Sequence, residues 1–165
     1  MALNNPLWQY ALELYARTGV REAALALQEA GASINRLLLA CYLAAQGRVL
    51  DGELLAGPAL DWQQEITHPL RALRYRVREH KLTRAELDAC YQCLREAELA
   101  AEQVELMLLW EQIERRSLNP APAGATLARL NLQRVLSGSV PPPLEQYRPQ
   151  LETLVAAALA LDTEK

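Results

Sequence analysis

The sequence has no phenylalanine, only 5% aromatic residues and just two histidines among its 165 residues. Sheets favour aromatic and β-branched side chains, whereas the apolar content here is dominated by Leu and Ala, which suit helices. The seven glycines are scattered and form no G-x-x-x-x-G-K phosphate loop. Serine is scarce and has no G-x-S-x-G setting. Three cysteines (Cys41, Cys90, Cys93) are an odd number at spacings unlike a secreted disulfide framework, so a reducing, cytoplasmic setting is expected. No run approaches 18 uninterrupted apolar residues, so no membrane span is expected. The first ten residues carry no Lys or Arg and then turn amphipathic, unlike a signal peptide. With 17 basic and 20 acidic residues the net charge is −3, which excludes a global field drawing the chain onto nucleic acid or an anionic membrane. Any such role is local.

What is present is a chain of one-domain length with 51% apolar residues, enough for a core without metals or cross-links. The dominant stretch runs from Thr83 to about Ser117 without Gly or Pro. Leu87, Cys90, Leu94, Ala97, Ala101, Val104 and Leu108 alternate in steps of three and four, which predicts one apolar seam along a helix. Thr83 and Glu86 have the spacing of a capping box. Such a helix is about 50 Å long, so only part of it fits in a core.

Other helices are marked along the chain. Asn5-Pro6 predicts a capped start, with Leu7, Tyr10, Ala11, Leu14 and Tyr15 on one face to about Arg17. A short helix over 20–30 ends at Gly31, with Ala23, Ala24, Leu25 and Leu27 inward. Ser33 caps a third helix to Gln46, apolar almost all round from Leu37 to Ala45, as a helix surrounded by others would be. Asp51 caps a short turn within a connector near 47–58. The segment 59–81 has Trp62, Ile66, Leu70, Leu73 and Val77 on one face, but Pro69 in its middle predicts a kink or a restart capped near His68. A connector near 118–124 precedes a helix over 125–136 carrying Leu127, Leu130, Leu132 and Val135. A Pro-rich link near 137–143 leads to a last helix from about Pro149 to Leu161. The expectation is an all-α, single-domain bundle of six to seven helices around the long helix at about 83–117.

Leu7, Trp8, Tyr10 and Ala11, then Leu14 to Arg17, then Pro69, Leu70, Arg71, Leu73 and Arg74, together with Gly31-Ala32, Trp62 and the Ala-Glu-rich 97–105, resemble an uncharacterised family of small bacterial proteins. The resemblance covers most of residues 5–115. It implies a cytoplasmic, all-helical bacterial protein and no activity.

Several residue sets bear on chemistry. Cys90-Tyr91-Gln92-Cys93 is a C-x-x-C, but it lies about two turns inside the long helix, not at a helix start where the dipole activates a thiol, and no second pair completes a zinc site. With Cys90 in the seam, packing is its expected role. Glu65 and His68 have the Glu-x-x-His spacing of di-iron bundles, yet those sites need two such motifs plus two further carboxylates. His68 is therefore expected to border the Pro69 break. Arg71, Arg74, Arg78 and Lys81 share one helix side opposite Leu70, Leu73 and Val77, with Arg76 and Arg84 nearby. Such a stripe either holds phosphates or an acidic surface, or pairs with Glu96, Glu98, Glu102 and Glu105 of the helix that returns after a tight turn at Leu82. An ordinary solvated or salt-bridged face is the plainer expectation. Only Tyr75 interleaves the stripe, which weakens a single-stranded nucleic-acid role.

No catalytic residue, metal ligand set or cofactor is called for. The leading expectation is a non-enzymatic, regulatory or macromolecule-binding protein that uses the basic face of Arg71, Arg74, Arg78 and Lys81, with another protein as partner, nucleic acid second, and no membrane. The alternative is an enzyme or small-ligand or metal-binding bundle with a pocket near Trp8, Tyr15, Trp62, Glu65 and His68. A third reading is a homodimer through Met107, Leu109, Trp110 and Ile113 at the far end of the long helix.

Overall fold

The computed structural model describes residues 2–163 and is built of helices joined by short connectors. The order is α1 (Pro6–Tyr15), α2 (Val20–Glu29), α3 (Ile34–Ala45), α4 (Pro58–Trp62), α5 (His68–Lys81), α6 (Asp88–Glu114), α7 (Ala125–Ser137) and α8 (Arg148–Thr163). There is no strand among the described residues. The nearest thing to one is a single antiparallel bridge of Arg48 with Pro120, where Val49 N–H donates to Asn119 O at 2.9 Å and Ala121 N–H to Gly47 O at 2.8 Å.

The helix ends follow local chemistry. Asn5 Oδ1 accepts the Trp8 N–H at 3.0 Å, with Pro6 in the first turn, where its missing N–H costs nothing. Ser33 Oγ accepts from Arg36 N–H, and Asp51 from Glu53 N–H before a 3-10 turn at Gly52–Leu55. Gly31, at φ +118°, lets Ala32 N–H return to Leu27 O at 2.9 Å. This closes α2 with a six-to-one bond that a left-handed residue makes possible.

The core centres on α3, in which every residue from Asn35 to Ala44 is buried. It packs on α1, α2, α6, α7 and α8. Its Leu39 and Leu43 are fully buried, as are Leu7, Leu14, Leu27, Leu54, Leu109, Leu132 and Leu154 from the surrounding segments. Asn131 of α7 sits at its centre, fully buried. It accepts Leu50 N–H at 2.8 Å and donates to Ala40 O and Arg48 O, so one side chain satisfies three backbone groups where the chain leaves α3.

Several expectations need correction. The long helix starts at Asp88 and ends at Glu114, after a 3-10 turn over Ala85–Leu87. No capping box forms, because the Thr83 hydroxyl donates back to His80 O. Only the second half of α6 enters the core, through Leu106, Leu109 and Ile113, so the helices pile around α3 and not along a rod. Pro69 produces neither break nor cap. α4, a π-helical turn at Gln63–Thr67 and α5 run on without interruption, and His68 N–H reaches back to Gln63 O, a bond five residues long. The wider turn makes room for a proline that an α-helix interior would reject. Leu25, Leu130, Leu73 and Ile66, expected inward, are exposed.

α5 packs chiefly on the first half of α6 and on the π-turn, and contains no buried residue. These two segments form an arm that leaves the body of the bundle.

Candidate functional site

The arm has an ionic seam. Leu87 of the 3-10 turn and Tyr91, Leu94, Glu98, Ala101, Glu102 and Glu105 of α6 are buried or half-buried along one side, which meets α5, the π-turn and α4, while Cys90, Cys93 and Ala97 are exposed. The expected seam was therefore right at Leu87, Leu94 and Ala101 and one residue out at Cys90, Ala97 and Val104. Arg71 Nε donates to Glu98 at 2.6 Å and its Nη2 to Glu102 at 2.8 Å. Arg74 Nε donates to the other Glu98 oxygen, and Arg74 Nη1 to Tyr91 Oη at 3.4 Å. Lys81 pairs with Asp88 near the tip.

Hydrophobic counting could not find this register. The partners that make Glu98 tolerable at a seam position are arginines on another helix.

Deeper in, at the root of the arm, lies a second charged pair. Arg36 of α3 donates to Glu105 at 3.4 Å, both nearly inaccessible to solvent. Gln63 of the π-turn donates to Glu105 at 3.0 Å and to Ser33 Oγ at 2.9 Å. Asn35 Nδ2 donates to Glu102 O, and Trp62 Nε1 to Ala101 O at 2.9 Å. The π-turn brings Gln63 and Thr67 inward together, which the sequence signals only through Pro69. Arg36 Nη2 and Thr67 Oγ1 are buried with no hydrogen-bond partner among the described residues.

Three arginines and three glutamates thus span α3, α5 and α6, and they ionise differently. Burial drives the Glu105 carboxyl up to about 7, against the opposing pull of Arg36. Glu102 is also raised, first by burial, with Arg71 opposing. For Glu98, burial again resists ionisation, but hydrogen bonds from Arg74 and Arg71 outweigh it and hold the carboxyl below its usual range.

Each residue called from the sequence has a place. Arg71 and Arg74 face the carboxylates of α6, and Lys81 faces Asp88. Arg78 stays outward, its guanidinium 4.9 Å from the Tyr75 ring centre, with no carboxylate partner among the described residues. Arg76 and Arg84 are likewise exposed and unpaired. Of the pocket set, Trp62 joins the buried network through its indole N–H, and Trp8 and Tyr15 are half-buried against the core. Glu65 and His68 lie exposed beside the π-turn. Among the described residues no group of three or more His, Cys, Asp and Glu is placed to hold a metal. Shallow clefts open elsewhere. One of about 530 Å³ is bordered by Pro6, Gln9, Tyr10 and Tyr42, and another of about 490 Å³ by Arg48, Arg115, Arg116 and Pro120. The far end of α6, expected to be an exposed dimer face, is the core end. Leu109 and Ile113 are buried, and Met107 and Trp110 are half-buried.

Fold and site define an all-α bundle with a charged helical arm rooted in a buried polar network. The chain belongs to a family described as a protein of unknown function (DUF2390), whose model matches residues 6–109. That stretch holds every residue of the arm and its root. No curated protein and no solved structure matches the chain.

Proposed function

We propose that the protein is a non-enzymatic, regulatory binding module that engages another protein through the outward face of the α5–α6 arm. One observation carries this reading. The arm's own pairing takes up Glu98, Glu102, Asp88 and three of its cations, while Leu73, Tyr75, Leu82 and Leu99 stay exposed and Arg76, Arg78 and Arg84 have no carboxylate partner among the described residues. Exposed aliphatic and aromatic groups on an arm that also carries free arginines suit a protein surface with apolar and acidic patches. They suit nucleic acid less, because Arg71, Arg74 and Lys81 are committed to carboxylates and Glu79, Glu86 and Glu96 share the exposed surface.

The resemblance to small bacterial proteins and the three free cysteines support a bacterial, cytoplasmic setting. Affinity capture with the intact chain, compared with a variant carrying Leu73→Glu, Arg76→Glu and Arg78→Glu, tests the reading. A partner captured by the first and lost by the second is the expected result. Identical partner sets with both overturn it.

A second reading, a small-ligand site at the arm's root, rests on the buried Arg36 Nη2 and Thr67 Oγ1. A small ligand that binds only the folded chain raises its melting temperature. A thermal-shift screen of carboxylate and phosphate metabolites supports this reading if a rise disappears in Arg36→Met, and overturns it if none raises the melting temperature.

A further inference from the structure

Free cysteine is ordinarily among the most buried of residues, and Cys41 follows the rule. It is fully buried in α3, where burial pushes its thiol up to about 12 and leaves it inert. Cys90 and Cys93 break the rule, since both are exposed on α6. Neither belongs to the line of buried and half-buried residues Tyr91, Leu94 and Glu98 that meets α5. Ala89 and Ala97, one turn before and after Cys93, are small and exposed. Residues three apart on a helix stand side by side, with Cβ atoms about 5–6 Å apart. A direct disulfide needs Cβ atoms roughly 3.5–4.5 Å apart, closer than an undistorted helix brings them. An ion bridging two sulfurs has no such difficulty.

We propose that Cys90 and Cys93 form a two-thiolate site for a soft, thiophilic metal ion of the copper(I) class, held by one chain. The donor set selects the ion. Thiolates prefer soft metals, and a closed zinc site takes four ligands. Among the described residues no third Cys, His, Asp or Glu joins the pair. Two soft ligands suffice only for an ion of low coordination number. Binding breaks two S–H bonds, forms two metal–sulfur bonds and releases two protons, with no change of oxidation state.

The test uses the full-length chain, reduced and kept free of oxygen, titrated with copper(I) against a chromophoric copper(I) chelator. One ion per chain is expected. The double variant Cys90→Ser/Cys93→Ser loses it, and because both side chains are exposed its circular dichroism and melting temperature stay unchanged. Each single serine variant is expected to weaken binding by more than the roughly 10–100-fold that changes beyond the ligands cost. Equal affinity in the wild type and the double variant, or no uptake at all, overturns the proposal. So does one ion per two chains with a doubled sedimenting mass, since that places the ion between copies.

Discussion

Arg71 Nε lies 2.6 Å from a carboxylate oxygen of Glu98, and Arg74 holds the other oxygen of the same group. Glu98 is only 6% exposed at a position where an antiparallel helix pair normally places an apolar residue. The arm is therefore latched by charge. Removing the carboxylate leaves two largely desolvated guanidinium groups facing each other.

Glu98→Gln is expected to destabilise the arm by about 3 kcal/mol, at the lower end of what breaking a buried pair costs, because both arginines keep some solvent contact. Amide exchange read residue by residue should show α5 exchanging roughly 100-fold faster while α3 is unchanged. Uniform acceleration throughout the chain would contradict a locally latched arm.

The root of the arm responds to pH with a definite sign. Glu105 has a native pKa of about 7, above its ordinary value of 4.5, so the folded chain binds this proton more tightly than the unfolded one. Its contribution is full below about 4.5 and is lost as pH rises through 7, on the order of 3 kcal/mol. His68, lowered by burial and by Arg71 and Arg36, acts in the opposite direction below about 6.5. Arg36→Met/Glu105→Leu removes the Glu105 contribution and weakens that of His68, which keeps Arg71 beside it. Between pH 5 and pH 8 the wild type should lose more stability in urea than the double variant, and parallel curves would refute the assignment.

Asn131 satisfies Leu50 N–H, Ala40 O and Arg48 O in the closed interior between α3 and α7. Asn131→Leu supplies bulk but no hydrogen bonds. It should cost about 3 kcal/mol, the penalty of orphaning buried backbone groups. Chemical denaturation measures this directly, and a change under 1 kcal/mol would mean the connector reorganises.

At Gly31 a Cβ would stand 2.5 Å from Ser139 O, in a backbone conformation with φ +118°. Gly31→Ala is expected to lower stability by about 2 kcal/mol, as strain at such positions usually does. Gly52→Ala, with open space around it, should change the melting temperature little.

Helix existence and most helix ends were legible in the chain because they depend on neighbours within a few residues. Asn5-Pro6, Ser33, Gly31 and Gly47 each mark a boundary through local hydrogen bonds or a permitted backbone angle. The enclosed position of α3 was legible too, since a helix apolar on every side has nowhere to go but inside.

The seam of the arm was not legible, because its register depends on partners far apart in sequence. A rule that counts apolar residues chose Cys90 and Ala97, whereas Tyr91 and Glu98 face inward because arginines of α5 compensate the charge.

The amino-acid order alone determined an all-helical chain, most of its helix ends and its most buried helix, through short-range capping and periodicity. The order also offered Glu98 and Glu102 as partners of the arginine stripe, and only the tertiary structure decided that Arg78 stays out of that pairing, that Arg36 meets Glu105 and that Cys90 and Cys93 stand in the open. Those outcomes turn on which helix lies against which, and a contact across 69 residues leaves no trace in local sequence pattern.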